Sequence, residues 1–145
     1  MPASPPDASP IDALPRPLAI VAHDAGAANM IASWCAEASA PPDFICAEGP
    51  AATIFADVAG GTRTVPVKEA VAQCATVLTG TGWASHLEHD ARAFADASGK
   101  TSIAVIDHWV NYPNRFNRNG ETALPGTIIV GDAIAWDLAR EAFPQ

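Results

Sequence analysis

The chain has 145 residues, the length of one domain, and 49% of them are hydrophobic while 17% are charged, a balance that favours a large buried core over disorder. The net charge of -8 with only eight Lys and Arg disfavours nucleic-acid binding, because that mode needs many cations on one face. The sequence has neither an apolar run of about 18 residues nor a signal peptide, so we expect no membrane span and a cytoplasmic location.

The chain begins with a segment rich in proline. Residues 1–16 contain five prolines, which remove backbone donors and disfavour helix. A disordered leader is therefore predicted, followed by a single domain over residues 17–145. Residues 17–22 are a continuous apolar run, typical of a parallel strand covered on both faces. The helix that follows has an apolar stripe, and Asp24 is placed to cap its first turn.

Strand and helix signals then alternate. Parallel neighbours need long return connections, so this alternation predicts an α/β fold: a Rossmann-like three-layer sandwich with a mostly parallel sheet of about five or six strands. Further strands are predicted at residues 44–47, 76–79, 102–106 and 127–130, with a weak extended piece at 63–67. Helices are predicted at residues 50–58 and 68–73, directly after the glycine turn at 80–82 with a cap at Gly99, and at the end of the chain. Residues 111–125 are predicted to be a polar loop.

Neither the cysteines nor the histidines form a metal motif. Cys35, Cys46 and Cys74 are widely spaced and fit reduced thiols in the core. His86, His89 and Asp90 fall on one turn of a predicted helix, where a solvated polar face is preferred to a zinc site. No metal and no cofactor is therefore predicted.

Ligands of open parallel sheets bind beyond the carboxyl ends of the strands. After the first strand this rule selects His23, Asp24 and Gly26. His23 is the candidate general base there. The alternative is a turn histidine bonded to a carbonyl, beside an aspartate that only caps the helix.

The glycine-rich segment after the middle strand is the second candidate. Gly80, Thr81, Gly82 and Trp83 connect a strand to a helix, where backbone N–H groups can approach a phosphate. The segment lacks a Walker lysine, and a plain tight turn is the alternative. Glu88, on the following helix, is a candidate for recognition of a sugar hydroxyl.

The densest polar and aromatic cluster follows the strand at 102–106. Asp107 and His108 are candidates for an orienting carboxylate and its base, and Trp109 or Tyr112 for stacking on a sugar or base. The alternative is an aspartate cap, an internally bonded histidine and a packing tryptophan.

Three further polar residues belong to this edge. Arg115 and Arg118 suit forked contacts to phosphate or carboxylate, with solvated loop arginines as the alternative. Asp132 follows the last strand.

Three strings carry a family resemblance: Val21-Ala22-His23-Asp24-Ala25-Gly26-Ala27-Ala28-Asn29, Thr79-Gly80-Thr81-Gly82-Trp83 with Glu88, and Asp107-His108-Trp109-Val110-Asn111-Tyr112 with Arg115-Phe116. Over residues 18–144 the chain resembles the N-terminal half of GT-B type glycosyltransferases and sugar-nucleotide 2-epimerase-like proteins of bacterial surface polysaccharide synthesis. The resemblance implies His23 and Asp24 as candidates for an acceptor-side base and a cleft wall at residues 80–83. Asn29 and Asn111 are further candidates for ligand contact.

The function expected is a carbohydrate-related, glycosyltransferase-like half-domain that binds a sugar or phosphorylated sugar at the strand ends. The family pairs two such halves, so a partner chain carrying the nucleotide-sugar domain is expected. Two alternatives stay open: a non-catalytic ligand-binding or regulatory module, and a metal-assisted hydrolase using Asp107, His108 and Asp132. The four tryptophans exceed what a small core easily encloses, which favours a homodimer.

Overall fold

The computed structural model describes residues 8–58 and 63–144. A 3-10 helix, Pro10–Ala13, precedes the first strand. The strands are β1 (Leu18–Ala22), β2 (Phe44–Ala47), β3 (Arg63–Thr64), β4 (Thr76–Thr79), β5 (Thr101–Ile106), β6 (Asn117–Arg118), β7 (Glu121–Thr122) and β8 (Thr127–Val130). The helices are α1 (Ala25–Glu37), α2 (Pro50–Phe55), α3 (Val67–Gln73), α4 (Leu87–Ala97), α5 (Tyr112–Arg115) and α6 (Ala133–Ala142).

Six of these strands form one parallel sheet in the order β3-β2-β1-β4-β5-β8. Strand β3 contributes only two residues at one edge. The chain builds outward from β1 in one direction, then returns to place β4 on the other side of β1. This is the doubly wound arrangement, in which the switch point lies between the first and fourth strands. The predicted Rossmann-like α/β fold is confirmed.

Helices cover both faces of the sheet, because successive side chains of a strand point to opposite sides. On β1, Leu18 and Ile20 pack under α1 and α2, whereas Ala19 and Val21 pack under α3 and α4. Every residue of β1 is buried, which explains its continuous apolar sequence. A third cluster joins β5 to α5 and α6 around Phe116.

The proline-rich leader differs from the prediction over the part that the structure describes. Ile11 is fully buried against the face formed by α1 and α2. Ser9 donates to Trp34 O at 2.6 Å, and Asp12 accepts from Ser39 N at 2.8 Å. Residues 8–16 therefore pack on the domain, because one large apolar side chain and two polar contacts anchor them. Residues 1–7 lie outside the described residues.

The predicted polar loop at 111–125 contains structure. Helix α5 occupies its first part, and β6 pairs with β7 as an antiparallel hairpin. Asn119 and Gly120 have φ values of 54° and 84°, the left-handed pair that closes a tight hairpin. The Asn-Gly dipeptide is the signal that the prediction overlooked.

The three cysteines are free and buried, as predicted. Burial raises the pKa of Cys35 and of Cys46 to about 11, so both thiols stay protonated. Gly99, with φ of 67°, follows α4 in the left-handed conformation expected of a C-terminal cap. No helix of the described residues combines the length and the apolar character that crossing a bilayer requires.

Candidate functional site

The switch point of the sheet brings the loops after β1 and β4 together. Val21 lies opposite Thr79 in the parallel register, so the chain leaves both strands at the same height. Strand β5 is the next neighbour of β4, which adds the loop that begins at Asp107. Ligands of doubly wound sheets bind at this place, and the region between the loops after β1, β4 and β5 is called the crevice below.

His23 and Asp24 form the closest pair of polar side chains in this crevice. His23 Nδ1 lies 2.6 Å from Asp24 Oδ1, and both side chains are partly exposed. Asp24 occupies the N-cap position of α1, but its side chain accepts no hydrogen bond from the helix. The predicted cap is thus replaced by an aspartate that orients an imidazole. With the proton on Nδ1, Nε2 is left as an acceptor.

Gly49 lies directly against the other side of the imidazole. A β-carbon at this position would lie 2.7 Å from His23 Nε2. The φ of Gly49 is 55°, a conformation that residues with a side chain rarely adopt. The turn before α2 therefore leaves room for the ring only because position 49 is glycine.

Two close approaches join the three loops. A β-carbon at Gly82 would lie 1.9 Å from Asp24 Oδ2, and one at Gly26 would lie 1.6 Å from Asp107 Oδ2. The loops after β1, β4 and β5 are consequently in direct contact around two carboxylates.

Asp107 and His108 do not form the predicted catalytic pair. Asp107 Oδ1 lies 3.3 Å from an Arg115 nitrogen. The ring of His108 turns to solvent, and its Nδ1 accepts from Trp109 N at 2.9 Å. Asp107 pairs with Arg115, eight residues further along the chain, because this arginine is buried beside the carboxylate, whereas the neighbouring His108 is exposed.

Arg115 is buried and belongs to the support of the crevice. Its side chain donates to Val110 O at 2.9 Å and to Thr81 Oγ1 at 3.1 Å, besides its contact with Asp107. Thr81 is buried too, and its hydroxyl donates to Val105 O at 2.9 Å. Both had been predicted to contact ligand, but these contacts hold the loops after β4 and β5 against each other.

Arg92 completes this support, and sequence reasoning missed it. It is fully buried and donates to Thr79 Oγ1 and Gly80 O, each at 2.9 Å, and to Ala123 O at 3.0 Å. Its guanidinium lies over the ring of Phe116 at 5.0 Å. Burial lowers the pKa of Arg92 to about 10, so it remains a cation at neutral pH. Its spacing of four residues from Glu88, in phase with buried alanines, was the available signal.

Glu88 lies beneath the glycine turn and has no surface to offer a sugar, contrary to the prediction. It is 1% exposed, and Oε1 accepts from Gly82 N at 3.0 Å. Oε2 is buried and has no hydrogen-bond partner among the described residues. Desolvation raises the pKa of Glu88 to about 7, against the opposing effects of the Gly82 N–H and the Arg92 charge.

The glycine turn does not open a helix in the way that the phosphate prediction required. Helix α4 begins only at Leu87. Gly80 N donates to Val21 O at 3.3 Å and Gly82 N is engaged by Glu88. These two N–H groups are therefore occupied and are not free to bind a phosphate.

The described residues also define the charge of the crevice. Asp24 and Asp107 present carboxylate oxygens at the strand ends, while Arg92 and Arg115 are buried. Such a surface accepts hydrogen bonds from hydroxyls more readily than it binds a phosphate.

No protein-family model, curated protein or solved structure matches the chain.

The remaining predicted residues lie around the rim or below it. Trp83 is 50% and Trp109 53% exposed. Asp132 caps α6 by accepting from Ala135 N at 2.8 Å, and it also accepts from Trp109 Nε1 at 3.0 Å. Tyr112 is buried, stacked near Phe143, and cannot offer a stacking face, contrary to the prediction. Asn29 and Asn111 are exposed.

His86 and His89, at the start of α4, do not form a metal site. His89 is buried, contrary to the predicted solvated face, and Nε2 lies 3.1 Å from Glu121 O. Within residues 8–58 and 63–144, no three His, Cys, Asp or Glu side chains are grouped to hold a metal ion. Asp107, His108 and Asp132 therefore do not make the ligand set of a metal-assisted hydrolase.

Proposed function

We propose that this chain binds a sugar at the carboxyl ends of its strands and that His23, oriented by Asp24, takes the proton from a sugar hydroxyl. The observation that carries the proposal is the 2.6 Å contact between the two side chains at the switch point. An imidazole held through Nδ1 by a carboxylate presents Nε2 to a substrate proton. The proposed class is a glycosyltransferase-like half-domain.

The chemistry that follows is a displacement at a sugar carbon. The hydroxyl proton moves to His23 Nε2, and the oxygen forms a bond to the anomeric carbon of a nucleotide sugar. The bond from that carbon to the nucleotide phosphate breaks, and the nucleotide leaves with the electron pair. The resemblance implies that a partner chain supplies the nucleotide-sugar domain.

The composition of the crevice supports a neutral sugar over a phosphorylated one. Two partly exposed carboxylates, Asp24 and Asp107, lie at the strand ends, and the buried arginines are engaged by Asp107 and by backbone oxygens. Exposed indoles at Trp83 and Trp109 add apolar faces, against which sugar rings stack.

The test compares His23→Ala and Asp24→Asn with His86→Ala. His86 is exposed, and among the described residues its one hydrogen bond is that from Asp90 N to its backbone oxygen. UDP-glucose, GDP-mannose and UDP-N-acetylglucosamine are offered with saccharide acceptors to the protein together with the partner chain that copurifies with it, and nucleotide release is measured. We expect the two crevice variants to lose at least about 100-fold in rate, whereas His86→Ala keeps the rate. Equal rates in all three variants would contradict the proposal.

A non-catalytic module is the second candidate, favoured by the engagement of Asp107 with Arg115, which leaves one acid–base pair in the described crevice. In that case saccharides shift the His23 ring resonances of the wild-type protein, but no nucleotide is released.

The homodimer predicted from the tryptophan content stays a prediction, checked by sedimentation at two concentrations.

A further inference from the structure

Two depressions of similar size adjoin the crevice. One, of about 320 Å³, is lined by Trp83, Asn111, Asn114, Asn117, Arg118 and Asn119. The other, also about 320 Å³, is lined by Trp109, Asn111, Tyr112, Leu138, Glu141 and Ala142. Each volume is at the lower end of the range for small-molecule sites. Asn111 belongs to both, so the two depressions are neighbours.

Each depression has one exposed indole that a neighbouring group holds in place. The Arg115 guanidinium lies 5.0 Å from the Trp83 ring centre. Trp109 Nε1 donates to Asp132 at 3.0 Å. Half of each indole remains exposed. A fixed aromatic face offers contact area at little cost in conformational entropy.

The amides of the first depression match hydroxyl groups. In the part of the chain that the structure describes, the side chains of Asn111, Asn114 and Asn119 make no hydrogen bond, while Asn117 bonds Thr122. Every free amide offers two donors and one acceptor oxygen, the combination that a sugar hydroxyl satisfies.

Backbone conformation accounts for two of these asparagines but not for the third. Asn111 and Asn119 have φ values of 56° and 54°, which asparagine tolerates better than most residues. Asn114 lies inside α5, where asparagine is a weak helix former. Its exposed amide therefore has no local structural purpose.

The floor of the first depression is built from internal contacts. Arg118 donates to Asn114 O at 3.0 Å and to Asn117 O at 2.7 Å, and it also contacts Gly82 O. Its charge is thus directed at backbone oxygens, and the depression connects to the glycine turn of the crevice. A floor fixed in this way requires little ordering when a ligand binds.

We propose that the two depressions are adjoining subsites for consecutive sugars of an oligosaccharide, with one ring against Trp83, the next against Trp109, and Asn111 between them. The inference rests on the proposed function, to which it adds the substrate class: an acceptor of at least two sugars.

The experiment uses the four indole N–H resonances, one for each tryptophan, assigned with single Trp→Phe variants. Maltotriose, cellotriose, mannotriose and chitotriose are titrated to millimolar concentration. At least one of these should shift the resonances of both Trp83 and Trp109. Trp83→Ala and Trp109→Ala should each weaken its affinity about tenfold, while Trp136→Ala, which removes an equally exposed indole from a different groove, should leave it unchanged.

The inference is overturned if no trisaccharide shifts both resonances, or if Trp136→Ala weakens binding as much as the other two substitutions. Its failure is distinguishable from that of the proposed function. If only the inference fails, His23→Ala still abolishes nucleotide release while both indoles stay unmoved by sugars. If only the proposed function fails, both indoles respond, but His23→Ala and His86→Ala behave alike.

Discussion

Two buried ionisable side chains, one helical turn apart, support the glycine turn from below. Glu88 accepts from Gly82 N, and Arg92 donates to Gly80 O. Both side chains are buried, and desolvation favours the neutral form of each. It raises the pKa of Glu88 to about 7 and lowers the pKa of Arg92 to about 10. The turn that borders His23 and Asp24 is therefore held by groups that no ligand can touch, which makes them positioning residues.

Glu88 should make the stability of the protein depend on pH. The pKa of the carboxyl is about 7 in the folded protein, above the ordinary 4.5. The folded state thus binds this proton more tightly, and the free energy of unfolding falls as pH rises from about 4.5 to about 7. The total contribution is on the order of 3 kcal/mol.

Glu88→Gln should remove this dependence, because the amide cannot ionise and its oxygen still accepts from Gly82 N. Urea denaturation of the variant and the wild type across this pH range measures it. We expect similar stabilities at about pH 4 and a more stable variant at about pH 8. Glu37→Gln, at an exposed position of α1, is the control. A difference between wild type and Glu88→Gln that stays constant with pH would contradict the assignment.

At the scale of elements, the pattern of apolar residues correctly predicted the boundaries of strands that depend only on burial in the core. Strands β2, β4 and β8 begin and end where predicted, because their runs of large apolar residues end at polar or glycine residues. Helix α4 was predicted to start directly after Gly82 but starts at Leu87. Residues 83–86 instead form a loop, and Arg118 binds it through Ser85 O at 3.4 Å. A contact from a residue so distant in sequence leaves no local periodic signal.

The 3-10 helix before β1 should contribute measurably to stability, because Ile11 is fully buried. Ile11→Ala removes three methyl or methylene groups from the core and should cost about 2–5 kcal/mol. Ile134→Ala, at a position that is 57% exposed, should change stability by less than about 0.5 kcal/mol. Chemical denaturation of both variants compares the two values. Equal, small losses would restore the sequence-based expectation of a disordered leader.

At the scale of the whole molecule, the alternation of elements was enough to predict the fold class, but not the order of the strands. That order places β4 beside β1, and it is what joins the loops of His23 and Gly82. Arg92 and Arg115 are the side chains that connect the loops. The sequence analysis did not select Arg92 and predicted that Arg115 contacts ligand. A sequence shows that an arginine is present, whereas its burial depends on which strands become neighbours.

The sheet should differ in local stability from its centre to its β8 edge. Strand β1 is buried over its full length and pairs on both sides. Within the described part of the chain, strand β8 pairs only with β5, and all four of its residues are at least partly exposed. Local opening costs least where few apolar contacts are lost and backbone groups meet water.

Native-state hydrogen exchange measures this difference amide by amide. We expect the amides of β1 and β4 to exchange only through global unfolding, since both strands are entirely buried. The amides of β8 that donate to β5 should exchange at least about 100-fold faster. The comparison is restricted to amides of β1 and β8 that donate to a neighbouring strand. Each then has a backbone carbonyl as its acceptor, which serves as the internal control. Equal protection at β8 and β1 would mean that another surface covers this edge in solution, and sedimentation at two concentrations would then show whether a second copy provides it.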